Sequence, residues 1–180
     1  DTATLSSDDL IPGMIVEATG TPWIKNPANN LHNMLPYTRI CATNGSPAVF
    51  GVTAKDNTSD ISNEDGSTTP NPNFGGLRPG SFPALSKNNP MASNHEHLSV
   101  MSLGEGAIWV TNIAGNITNG DLIESSEISG YGRLQSDDIM RSKTVAKCTE
   151  TIDWNTVSDT IEYNGQSYKK YLTSCTFHCG

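Results

Sequence analysis

The sequence predicts an all-β fold, an antiparallel barrel or sandwich with long surface loops. Three observations carry this. Short apolar runs alternate with Gly, Asn and Ser clusters at strand-and-turn spacing. Asn-Gly dipeptides, which supply the positive φ of tight turns, stand between several of those runs. The composition is loop-rich, with 16 Gly, 10 Pro and only 35% hydrophobic residues in 180, which suits short strands better than packed helices. The turn spacing extrapolates to about eight to ten strands. The length suits one β-domain over residues 1–180.

Residues 1–12 are polar and are expected to be extended. Pro12-Gly13 is a turn signal, and Met14 to Ala18 (MIVEA) reads as the first strand. Gly20 to Leu35 reads as a loop, with Trp23 and Ile24 pinning it to the core. Thr38 to Ala42 and Ala48 to Ala54 are expected to pair as a hairpin around Asn44-Gly45. Asp56 to Pro90 lacks apolar periodicity, and a stretch of that length reads as a surface excursion. Phe74, Leu77 and Phe82 are its expected anchors.

Leu98 to Ser102 alternates as a strand should. From Ser102 to Thr149 the runs AIWV, DLIE, YGRL and KTVAKC read as a β-meander, with a tight turn at Asn119-Gly120-Asp121. Asp138 to Ser142 is read as one helical turn, and Ser142 to Thr151 as a long strand. Thr160 to Tyr163 and Gln166 to Thr176 flank Asn164-Gly165, a second hairpin that closes the sheet.

Net charge is −8. That argues against a nucleic-acid footprint and against attraction to anionic membranes. No run approaches the roughly 20 apolar residues of a membrane helix, so no membrane insertion is expected. The chain begins with Asp1; a processed product and part of a longer chain both fit.

Four cysteines, Cys41, Cys148, Cys175 and Cys179, permit two disulfides in three pairings, and buried free thiols fit equally. Cys175, His178 and Cys179 offer soft donors of the kind zinc takes, but no familiar complete zinc spacing. Strand alternation places Cys175, Phe177 and Cys179 on one face and His178 on the other. His95 and His97 would share a strand face. Around a three-fold axis, three such pairs would supply six imidazole ligands to a metal; solvated histidines are the plainer alternative, and no other cofactor is indicated. The acidic run from Asp56 puts Ile61 and Ser67 where an EF-hand needs Gly and Glu, so a solvated loop fits better than a calcium site. Asn44, Asn57 and Asn116 head Asn-X-Ser/Thr sequons in expected turns. Trp23, Trp109 and Trp154 are taken as exposed aromatics for an interface, and Trp23 and Trp154 also as stacking platforms for a host-surface glycan.

Three blocks carry a resemblance. They are GEGAIWVTN with GNITNGDLIESSEISGYGRLQ and KTVAKC; LPYTRICA followed by VFGVT; and the ending YLTSCTFHCG. Together, in this order, they resemble the C-terminal β-domain of viral and phage fibre and appendage proteins. That group includes the glutamic-type self-cleaving domain of phage pre-neck appendage proteins and surface-fibre proteins of large aquatic DNA viruses. The resemblance implies a structural subunit of a homotrimeric extracellular or virion-surface fibre or filament, acting by self-assembly. It also raises self-cleavage, for which Glu17, Glu96, Glu105, Glu124 and Glu127 are chemically eligible. None of them matches a catalytic motif residue by residue, and a carbohydrate-binding adhesin remains a further alternative. No Walker loop, Rossmann fingerprint or H-E-x-x-H motif occurs.

Overall fold

The structure, a computed structural model, describes residues 11–24, 34–54, 60–62, 68–70, 81–86 and 97–179. It is all-β. The strands are β1 (Ile15–Ile24), β2 (Met34–Ile40), β3 (Val49–Thr53), β4 (Asp60–Ser62), β5 (Thr68–Pro70), β6 (Ser81–Ser86), β7 (His97–Met101), β8 (Leu103–Thr111), β9 (Leu122–Ser125), β10 (Gly132–Leu134), β11 (Thr144–Cys148), β12 (Thr160–Tyr163) and β13 (Gln166–His178).

Two sheets dominate. The first closes into a barrel in the order β1-β2-β6-β7-β3. The second runs β11-β9-β10-β8-β13-β12, and an added β11–β13 pairing joins its first and fifth strands into a ring. Pairing is antiparallel except for β2 with β6 and β10 with β8. β4 and β5 pair as a separate two-stranded sheet.

β1 links the two sheets. Its alternation sends Val16 toward Val100 and Phe50, while Ile15 faces the larger core. That core joins Ile15 and Val52 of the barrel to Ile108, Val110, Ile123, Val145 and Phe177 of the second sheet. Backbone hydrogen bonds stitch the same seam: Ile15 N to Gly130 O, Gly130 N to Cys41 O, and Trp109 N to Gly13 O. A separate cluster of Met14, Ile40, Ile128 and Tyr131 packs with Trp109.

Several expectations are corrected. The segments around Asn44-Gly45 do not pair with each other. β2 and β3 lie on opposite sides of β1, because the intervening turn is spent on contacts to β9 instead. The loop expected from Gly20 to Leu35 begins later: β1 runs on to Ile24 across a register shift between Ala18 and Pro22, and pairs with β2 from Met34. Within the expected excursion, β6 enters the barrel between β2 and β7, so part of that stretch is sheet; Phe74 and Leu77 lie outside the described residues. Of the expected meander, only β9 and β10 form a consecutive pair. β8 pairs instead with β13 over nine residue pairs.

The turn at Asn119-Gly120 exists, with Asp121 N donating to Thr118 O, but it joins strands that are not partners. Asp138 to Ser142 forms bends and a turn, not a helical turn. The Gln135 side chain organises it, donating to Asp137 O, Asp137 Oδ1 and Ile139 O and accepting from Thr144 Oγ1. The long strand expected over Ser142–Thr151 is the five-residue β11. The Asn164-Gly165 hairpin is as expected: φ is 49° and 75°, the doubly positive pair of a two-residue turn, and Tyr163 sits opposite Gln166.

Candidate functional site

Two carboxylates lie in the interior where barrel and second sheet meet. Glu17 is 3% exposed and Glu124 is 2% exposed. Each interrupts an apolar run, IVEA in β1 and LIES in β9, at a position that points inward. A buried charge is tolerated only when paired and hydrogen-bonded, and both are.

Glu17 Oε1 accepts from Arg39 Nε at 2.7 Å. Glu17 Oε2 accepts from Ser46 Oγ at 2.6 Å and from the Cys41 thiol at 3.4 Å. Burial by itself would raise the Glu17 carboxyl. The hydrogen bonds from Ser46, Arg39 and Cys41, with the Arg39 charge, outweigh it and hold the group below its ordinary value. The Cys41 thiol is pushed up, first by burial and also by the neighbouring Glu17 carboxylate, against the opposing polar influence of the Ser125 side chain and the Thr43 backbone.

Glu124 Oε1 accepts from Arg133 Nε at 3.1 Å. Lys143 Nζ lies 2.5 Å from Glu124 Oε2 as a charge contact rather than a directed hydrogen bond. Arg133 also reaches Glu127 at 3.2 Å. Ser125 completes the join. Its hydroxyl donates to Thr43 O at 2.7 Å and accepts from Ser46 N at 2.9 Å, and its carbonyl accepts from Gly45 N. The turn 43–46 is thus held between Glu17 and Ser125. Gly45 has φ +58°, and a side chain there would press on Lys143 and Glu124.

The cluster's chemistry is that of a clasp. The Glu17 carboxyl is held ionised and its basicity is reduced by three donors. The thiol beside it is held protonated. Ser46 is 3% exposed, so its hydroxyl has no open approach. Glu124 and Glu127, eligible for self-cleavage on chemistry alone, are engaged in ion pairs. Glu105 is exposed on β8, and Glu96 lies outside the described residues.

In this structure the four cysteines are buried and in the reduced form. Cys175, Phe177 and Cys179 are 2%, 3% and 7% exposed, on one face as alternation predicts. His178 is on the other, beside Thr176 Oγ1 at 3.1 Å, so it does not converge with the two thiols. Among the described residues no group of three His, Cys, Asp or Glu side chains is arranged to hold a metal. His97 opens β7; its side chain and all of His95 lie outside what is described.

Asn44 and Asn116 are exposed, and Asn57 lies outside the described residues. The tryptophans do not form the expected exposed set. Trp154 is buried in the main core, because the segment from Ile152 folds inward; Ile152 N donates to Ile117 O. It offers no interface or glycan platform. Trp109 is half-buried, donating Nε1–H to Pro12 O at 3.1 Å, with Lys170 Nζ 5.6 Å from its ring centre. The Trp23 side chain is outside the described set.

Besides Ile11, Ile139 and Met140, the exposed large hydrophobics among the described residues lie on one sheet face. Register and alternation place Leu103, Ala107, Leu172, Ser174 and Thr176 there, with Glu105, Lys147 and His178 as polar groups. Leu103 is 50% exposed and Leu172 is 43% exposed. Ser46, Ser125, Arg39, Arg133 and Lys143 are the cluster members that sequence patterns did not single out. The one local signal was a glutamate at an inward position of each apolar run. Among the described residues no helix is long and apolar enough to cross a membrane. No protein-family model, curated protein or solved structure matches the chain.

Proposed function

We propose that this chain is a structural subunit of an extracellular fibre of the virion-appendage kind, acting as a homotrimer by self-assembly. The observation that carries the reading is the outward face of β11, β13 and β8, where Leu103 and Leu172 stand exposed about 20 Å apart along the ladder, with Ala107, Ser174 and Thr176 between them and Glu105, Lys147 and His178 as the polar groups. Exposed leucines on a sheet face of mixed polarity are what subunit interfaces cover. The sequence resemblance to fibre domains supplies the trimer and the setting. The interior supports a scaffold role, since Glu17, Ser46 and Ser125 clasp the two sheets and are themselves buried.

Mass photometry of the purified chain over a concentration series tests this, alongside Leu103→Lys/Leu172→Lys. Trimers or filaments in the parent that dissociate in the double variant are the expected result. A parent that stays monomeric at micromolar concentration overturns the proposal.

A further inference from the structure

Cys148 and Cys175 are direct cross-strand partners in the β11–β13 ladder. The position within the ladder matters. Thr149 N donates to Ser174 O at 3.1 Å, so the neighbouring pair Thr149–Ser174 is hydrogen-bonded. Antiparallel pairs alternate, which makes Cys148–Cys175 a non-hydrogen-bonded pair, the class whose Cα atoms approach to about 4.5 Å with side chains closest. A disulfide needs a Cα separation of about 4.4–6.8 Å with both Cβ atoms on one side. Both side chains face the same core and are 1% and 2% exposed.

We infer that Cys148 and Cys175 form a disulfide that staples the β11–β13 seam, the pairing that closes the second sheet into a ring.

The other thiols are placed for different roles. Cys179 continues β13 and lies four residues beyond Cys175, about 13 Å along an extended chain. Its Sγ donates to Val145 O at 3.3 Å, at the far end of β11 from Cys148. Cys41 lies outside the strands and donates to Glu17 Oε2; reduced Cys148 donates to Glu150 O at 3.1 Å, a bond it gives up on pairing. The expected product therefore carries one bond and two thiols.

The chemistry is thiol–disulfide exchange with a small-molecule disulfide as oxidant. One protein thiolate attacks it, forming a mixed disulfide and releasing one small thiol. The second protein thiolate then displaces the other, forming the Cys148–Cys175 bond. Two protein protons and two electrons leave, and the oxidant ends as two thiols. In the folded, reduced chain this is slow. Burial, with charge repulsion from Cys148 and more weakly Cys179, pushes the Cys175 thiol up to about 12, leaving little thiolate. The bond is thus made while the seam is still open, as the last strand docks.

The test is refolding of the full chain from denaturant in a glutathione redox buffer, then intact mass and non-reducing peptide mapping. The expected product is two hydrogens lighter than the reduced chain, with one linkage joining the Cys148 and Cys175 peptides. Its melting temperature should exceed that of the reduced chain by about 5 °C or more. Cys179→Ala should keep the linkage, and Cys148→Ala should lose it. Should Cys148→Ala fail to fold, the parent peptide map decides alone. Four free thiols after oxidative refolding, or a linkage through Cys41 or Cys179 instead, overturns the inference.

Discussion

Ser46 Oγ donates a 2.6 Å hydrogen bond to Glu17 Oε2, tying the 43–46 turn to the first strand. Twenty-nine positions separate them in sequence. Ser125 of the second sheet holds the other side of the same turn through Ser46 N. One short turn thereby connects the barrel to the second sheet, and the buried charge of Glu17 is the anchor.

Ser46→Ala removes a charge-assisted bond and leaves a buried carboxylate oxygen with only the weak thiol donor. The expected cost is about 2 kcal/mol, read as a lower urea midpoint with unchanged slope. A midpoint equal to the parent's would show that the bond contributes nothing net.

The clasp should be sensitive to acid. Glu17 has a folded pKa below its ordinary value of 4.5. Its contribution is therefore fully present above the unfolded pKa and is lost as pH falls through the folded value. From this group, stability should be flat from about pH 7 to about pH 5.5 and then decline below about pH 4.5. Glu17→Gln should be less stable at neutral pH and show a shallower acid decline. Parallel acid profiles for parent and variant would remove Glu17 from this role.

Gly51 sits where a side chain would meet the Met101 carbonyl oxygen at 2.5 Å and Val100 Cγ1 at 2.5 Å. The first is backbone of β7, which cannot retreat without disturbing its ladder with β3. Gly51→Ala should destabilise by about 2–3 kcal/mol, seen as a lower melting temperature. A variant as stable as the parent would mean that β3 and β7 are not packed this closely.

Gly165 adopts φ +75° with open space around it, so substitution there tests conformation alone. Gly165→Ala should cost about 1 kcal/mol. The loss should appear first as faster amide exchange in β12, the outermost strand of its sheet. Unchanged exchange across Tyr163 and Gln166 would contradict the turn geometry.

Local chemistry in the sequence determined the all-β class, the approximate places of β1, β3 and β7 to β13, the Asn164-Gly165 hairpin, and the shared face of Cys175, Phe177 and Cys179. These follow from the two-residue strand period and from the positive φ of Asn-Gly, neither of which depends on distant chain. Only the tertiary structure decided partnership. It placed β2 and β3 on either side of β1 rather than together, brought β6 into the barrel, turned Trp154 inward, set Cys148 opposite Cys175 and gathered Glu17, Ser46 and Ser125 at one point. Strand pairing across long separations is chosen by loop closure and by the fit of whole faces. A run of five or six residues carries its own conformation and facing, but it does not carry the identity of the strand it will bond.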